Sequence, residues 1–345
     1  MKRALVIAVS VLFFLAAFGN AALTDTQSAA GAQAKKKRLD FKVAPFADLY
    51  FYVYRFSSST EKPPDIEGLA PAVESARNIS LVLTLYDRVT FELENAAAAE
   101  TEFKQFPETY KTSKGDTVAL REKAAPLARD LVAFEKPFTE KLWPQHKVRL
   151  DDAARKLERT VGAKEQELFD DFTKHLGLAR AEATVPIYLV TETPWPGGFT
   201  MWGKDKTRGV CVISISTYAG PQLFTAVLHE AIHALDLETK GTGNVLVELR
   251  DRLLKAGFKE DDLVVRHGPH MLVFIQSSET VKRFLDPSYQ PYSEGIFTRP
   301  GLQPLIKVEL PIWIAYLDGK ITRAQAIDQM VDGFVKGRSN EQQKP

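Results

Sequence analysis

One cysteine, Cys211, occurs in 345 residues, so no intrachain disulfide can brace the fold, which must rest on its core. Net charge is nearly absent as well: 45 basic against 44 acidic residues leave +1. So small a surplus gives no field to hold a nucleic-acid backbone, and nucleic acid is excluded as an expected partner. Histidine is scarce, with six in the chain, so any regular spacing among them is informative. Long apolar runs are missing except for Ala4 to Phe18. That run is shorter than the about 20 apolar residues that a membrane-spanning helix needs.

The residues around this run give it a meaning. Lys2 and Arg3 precede it, and Gly19-Asn20-Ala21-Ala22 follow. A basic start, a short apolar centre and a small-residue exit predict a secretory signal peptide over 1–21, and with it a periplasmic or secreted protein. No stable membrane span is expected once the signal is removed. Residues 22–40 read as a disordered linker with a solvated basic run at Lys35-Lys36-Lys37-Arg38. Beyond it, a hydrophobic share of 45% and a charged share of 26% are those of a soluble globular protein.

Residues 41–180 read as a mainly helical region. Apolar residues recur at helical spacing around 70–106, 117–134 and 147–176, punctuated by Pro63-Pro64, Pro107, Gly115 and Pro144. His146 and His175 fall here as lone histidines and are read as surface or packed residues. Composition changes near 184, where a second region over 184–338 begins. Val185 to Thr191 and Val210 to Ser216 are rich in β-branched residues and predict two strands. Between them, Pro194-Trp195-Pro196-Gly197-Gly198 is read as a loop. Cys211, Ile213 and Ile215 share one strand face, which makes the thiol a buried, inert one. Gly220-Pro221 opens a helix that runs to about Lys240, where Gly241 and Gly243 stop it. Further helices are expected over 244–256, 269–285, 303–317 and 322–336. The fold class is therefore α+β, a small sheet followed by helices.

The chemistry is concentrated in that first helix. His229-Glu230-Ala231-Ile232-His233 places two histidines one turn apart on one face, where they can bind one metal ion. Glu230 stands beside them, placed to act on a metal-bound water. Zinc suits such a set, because it brings a bound water toward a pKa of about 7 and a nearby carboxylate can then take the proton.

On these residues, over about 185–285, the chain resembles the zincin metallopeptidases. The resemblance implies a zinc-dependent hydrolase, in the first place a peptidase acting on peptide or protein. His229 and His233 would be ligands, and Glu230 the general base and proton shuttle. It also implies an edge strand before the active helix that pairs with extended peptide, a role that falls to Val210–Ser216. His270-Met271-Leu272-Val273-Phe274, with Ser278-Glu279-Thr280-Val281-Lys282-Arg283 and Pro291-Tyr292, further looks like a group of exported bacterial zincin-like proteins. There a histidine stands at the position matching His270. Other zincin-like proteins carry a ligand histidine directly before Gly-Pro, which points to His267.

The compact ligand pattern fails, because position 239 is Thr. The third ligand is thus to be found among His270, His267, Glu248, Glu279 and Glu294, and His270 is preferred. Gly268-Pro269 predicts a helix start that sets His270 in the first turn, where the helix dipole favours neutral imidazole. Tyr292, or else Tyr289, is the candidate oxyanion donor. Asp236 lies on the ligand face, either to orient an imidazole or to remain solvated. Trp195 and Trp202 either line the cleft or pack. Two other functions are kept open: hydrolysis of an amide in cell-wall material, and a zincin-like binding protein without turnover.

Overall fold

A computed structural model describes residues 37–79, 90–111, 117–178, 183–194, 196–239, 243–293 and 295–342. The expected signal peptide and nearly all of the linker lie outside the described residues, as do Trp195, Gly241 and Glu294.

The first described element is a strand, β1 (Leu39–Val43), in a segment read from sequence as linker and helical region. It is followed by α1 (Pro45–Ser57), α2 (Leu69–Ile79) and α3 (Ala96–Phe103). A two-stranded ribbon, β2 (Tyr110–Lys111) with β3 (Thr117–Val118), leads into α4 (Leu120–Lys141), α5 (Trp143–Thr160) and α6 (Glu165–Leu176). Then come β4 (Val185–Val190), β5 (Gly198–Trp202) and β6 (Gly209–Ser214). The chain ends in α7 (Pro221–Glu238), α8 (Val245–Lys255), α9 (Leu263–Phe284), α10 (Gln303–Leu317) and α11 (Arg323–Gln342), with three short 3-10 turns between α9 and α10. The expected α+β class is what the structure has. Among the described residues no helix is long and apolar enough to cross a membrane.

The main sheet runs β1-β4-β6-β5, with β1, β4 and β6 parallel and β5 antiparallel at the edge. Every residue of β4 and β6 is buried, as befits parallel strands covered on both faces. Alternation sorts the two faces. Ile187, Leu189, Cys211 and Ile213 enter the core shared with α7 and α9, while Tyr188, Val190, Val210 and Val212 enter the core of α1, α2 and α4. Cys211 is thus buried as expected, with its thiol pushed up well above the usual range by burial.

α1, α2 and α4 therefore form the layer on one face of the sheet, while α5 and α6 send Leu150, Leu157, Phe169 and Phe172 into the core on the other face. In α1, ten of the thirteen residues are buried, so it has no solvated face. Its Asp48 is fully buried, accepts from the Thr191 backbone and faces His146 Nδ1 at 2.7 Å. That contact ties α1, α5 and the end of β4 together and accounts for His146 as a packed residue. His175 Nδ1 lies 3.2 Å from Asp171 within the helical core.

Candidate metal centre

Helix α7 opens at Gly220, whose φ of 54° suits glycine, with Pro221 at its first position. Eleven of its residues are buried, His229 and Glu230 among them. Two glycines let this helix close on the sheet. A Cβ on Gly209 would stand 2.5 Å from the Ala234 Cα, and one on Gly198 would stand 2.9 Å from Glu230 Oε1. Bare backbone at these positions sets α7 against β5 and β6 with the His-Glu turn at the lip of the edge strand.

His229 and His233 direct their Nε2 atoms to one point, 3.1 Å apart. From α9, His270 brings its Nε2 to 3.1 Å from that of His229, and all three ligand atoms lie within 4.8 Å of one another. Two nitrogens bound at 2.0–2.1 Å to one tetrahedral ion stand about 3.3 Å apart, close to both separations. Burial pushes His229 well below the ordinary imidazole range, with the charges of His233 and His270 adding to it. Burial likewise lowers His233 to about 3, aided by His270, and His270 to about 4, aided by His267. The three rings are therefore neutral, the form a metal ion requires. This triad could hold a metal ion.

The ring of His229 is held by packing, its centroid 4.0 Å from that of Phe274. Its Nδ1 is buried without a hydrogen-bond partner among the described residues. Asp236 does not fill that role. Half-buried in the cavity lining, it accepts from Asn244 Nδ2, and the Asn244 side chain caps α8 at the Leu246 N–H. Asp236 thus links the end of α7 to the start of α8, and its own burial raises its pKa.

Glu230 is buried beside the triad, with Oε1 4.0 Å from His229 Nε2. Thr200 Oγ1, on β5, lies 2.6 Å from Glu230 Oε2 and donates to it. Burial raises the carboxyl to about 7, against the opposing effect of that hydrogen bond. A group poised there can take and return a proton near neutrality.

Two of the other proposed ligands, Glu248 and Glu279, are engaged elsewhere. Glu248 pairs with Arg252 and Arg323, and Glu279 with Arg283. His267 lines the same cavity as the triad but is not in it. The reason given for His270, a helix start at Gly268-Pro269, does not hold: α9 begins at Leu263, and Pro269 lies inside it. His270 sits two turns in, so desolvation rather than the helix dipole keeps its ring neutral.

Of the two tyrosines expected as oxyanion donors, Tyr289 lines the cavity, while Tyr292 donates to Glu279 Oε1 at 2.6 Å. The tyrosines that line the cavity, among the described residues, are Tyr54, Tyr218 and Tyr289. Val210–Ser216 is not the edge strand, because β6 lies inside the sheet, between β4 and β5. The edge strand beside the cavity is β5, which begins within the supposed loop; Gly198, Phe199, Thr200 and Met201 face the cavity, and Trp202 lies outside its lining. Sequence reading missed Gly198, Thr200, Tyr218 and Arg299 as parts of this site. The alternation in Gly198-Phe199-Thr200-Met201-Trp202 was the available signal for the first two.

The cavity has a volume of about 1020 Å³, at the upper end for small-molecule sites. A smaller one of about 320 Å³ is also lined by His233, Asp236 and His270. Compared with known proteins, the chain matches no family model, no curated protein and no solved structure.

Proposed function

We propose that this chain is an exported, zinc-dependent hydrolase of the zincin type, and that its substrates are peptides. One observation carries the reading: three neutral imidazole Nε2 atoms converge beside a buried carboxyl whose second oxygen is held by Thr200. Three protein nitrogens leave one position of a tetrahedral ion open, as catalytic zinc sites do.

Zinc held by His229, His233 and His270 would acidify a water and polarise the scissile carbonyl. Glu230 takes the water proton at Oε1, the oxygen that Thr200 leaves available. Its burial keeps the proton from escaping to solvent, so the same oxygen can hand it to the departing nitrogen. Thr200 fixes the rotation of the carboxylate, and Gly198 leaves the space in which Oε1 stands. β5 ends the strand order and lies along the cavity, so an extended peptide can add to its open edge through main-chain hydrogen bonds.

The apolar lining supports peptide over cell-wall sugar, whose hydroxyls such walls would leave unpaired. The test separates holding the ion from using it. Dialysed full-length protein should contain close to one zinc per chain and cut members of a broad peptide library. Glu230→Gln should keep the zinc and lose turnover by at least a hundredfold, because an amide cannot accept the proton. A binding protein without turnover predicts no cleavage by either. No metal in a folded sample would end the proposal.

A further inference from the structure

The hydrogen bonds between β5 and β6 fix which way each residue of β5 turns its main chain. The Ser214 N–H donates to the Gly197 carbonyl at 2.8 Å, and the Gly203 N–H donates to the Arg208 carbonyl at 2.8 Å. Both pairs continue the register in which Thr200 stands opposite Cys211. In antiparallel strands, residues that bond to the partner alternate with residues that do not. Phe199 and Met201 therefore turn their N–H and carbonyl groups toward β6. Gly198, Thr200 and Trp202 turn theirs to the open edge.

The side chains of β5 alternate as well. Thr200 points to α7, where its hydroxyl meets Glu230, and a Cβ on Gly198 would meet the same carboxyl. Phe199 and Met201 point to the opposite layer. Met201 is buried in the core of α1, α2 and α4, and Phe199 packs against that core half-buried. The Phe199 ring stacks on Phe51 of α1 with centroids 6.2 Å apart, and it stands 6.3 Å from Tyr54. Yet Phe199, Met201 and Tyr54 line the same cavity as Thr200, Glu230 and the triad. A cavity that reaches both faces of an edge strand passes around its open edge. The main-chain groups of Gly198 and Thr200 thus lie where it turns the corner. Imidazoles and a carboxyl stand on one side of them, and an apolar wall from α1 and β5 on the other.

A peptide added to this edge inherits the alternation. Its successive side chains point by turns to the metal side and to the far side. The two residues joined by the scissile bond are neighbours, so one of them sends its side chain to the far side, against Phe199 and Met201. A charged side chain placed there would lose its water against hydrocarbon, a cost that an apolar one does not bear.

We propose that Phe199, Met201 and Tyr54 form a subsite for an apolar side chain of the substrate, on the face of β5 turned away from the metal. The substrates are then extended peptides with a large apolar residue on one side of the bond that is cut, held by main-chain bonds to Gly198 and Thr200. This rests on the peptidase reading above. It gives α1, which carries Tyr54 to the cavity, a part in selectivity.

The test uses blocked hexapeptides of alanine in which one phenylalanine is moved along the chain. Cleavage is measured on the zinc-loaded, full-length protein, and binding by calorimetry on its Glu230→Gln variant. Phenylalanine at one of the two positions flanking the cut should raise kcat/KM about tenfold or more over alanine, the size expected when one aromatic side chain leaves water. Phe199→Ala should abolish most of that ratio and leave the ratio at the other flanking position unchanged. Phe199→Leu, which keeps an apolar contact with Phe51, should retain part of it.

A second measurement leaves the wall intact. N-methylation of the peptide backbone, one residue at a time, removes one N–H donor. Only every second residue of an added strand bonds to β5, so affinity should fall by up to about tenfold at alternate positions. Losses at every position, or at none, overturn the pairing with Gly198 and Thr200. Phenylalanine ratios that the Phe199 variants leave unmoved, or lower equally at both flanking positions, overturn the subsite. The two readings fail separately: binding with these patterns but without cleavage removes the hydrolase, and cleavage without them removes the subsite. Neither binding nor cleavage of any peptide overturns both.

Discussion

Thr200 Oγ1 is 2.6 Å from Glu230 Oε2, and it also lies 2.9 Å from the Glu230 backbone carbonyl. One hydroxyl of the edge strand thus meets both the side chain and the main chain of the residue between the two histidine turns. The strand that would receive a peptide is joined by this contact to the group that would move the proton. Displacing one moves the other.

Thr200→Val removes the hydroxyl at nearly constant volume. Glu230 then loses the donor that fixes its rotation, and kcat should fall about tenfold or more, the size of one charge-assisted hydrogen bond. Zinc content should not change, because Thr200 touches no ligand. Thr200→Ser, which keeps the hydroxyl, should restore most of the rate. Full activity in the valine variant would show that the carboxylate is positioned by its burial alone.

The third ligand can be tested by affinity without any substrate. Losing a partner that only supports a ligand typically costs 10–100-fold in metal affinity, so losing a ligand should cost more. His270→Ala is expected to weaken zinc binding by more than a hundredfold in a chelator competition titration. His267→Ala, three residues earlier on α9 and outside the triad, should change it by less than about tenfold. The reverse order would move the ligand to His267 and require the two rings to exchange places.

How much of this was legible in the sequence follows the range of the interactions involved. His229, Glu230 and His233 lie within five residues on one helix, so their geometry is local and the 3.6-residue period is enough to read it. The buried strands β4 and β6 announced themselves by β-branched runs. His270 is indicated by resemblance alone, because the local signal at Pro269, a helix start, is misleading. In fact Asp262 precedes the helix and the proline is accommodated inside it. β1 escaped notice because five residues beside a basic tract look like linker until Val185 to Leu189 pair with them. α1 was hidden for the opposite reason: a helix buried on nearly all sides has no polar face to give a period. Arg299 could not be found by any local rule, since only the folded turn brings it into the lining of the cavity.

Glu309 stands on α10. It is fully buried, and neither carboxyl oxygen has a hydrogen-bond partner among the described residues. It lies against Gly268 of α9, where a Cβ would stand 3.0 Å from Oε1, so it sits beneath the turn that carries His267 and His270. Burial raises its pKa well above the ordinary value of 4.5, so the fold holds it protonated. In the unfolded chain the same group ionises above about 4.5. Between that pH and the raised folded value, the folded state binds more protons, and stability must fall as pH rises. The contribution is fully present below about pH 4.5 and is lost as pH rises toward the folded pKa, by up to about 1.4 kcal/mol per pH unit. Glu309→Gln has nearly the same shape and never ionises, so it lacks this loss. Urea unfolding of metal-free protein at pH 5, 6 and 7 should show the variant gaining on the wild type at each step. The titrations of His229, His233, His270 and Glu230 are common to both proteins and cancel in the difference. Parallel stability curves would mean that Glu309 is already ionised in the folded protein, and that α9 and α10 enclose a counter-charge or water there.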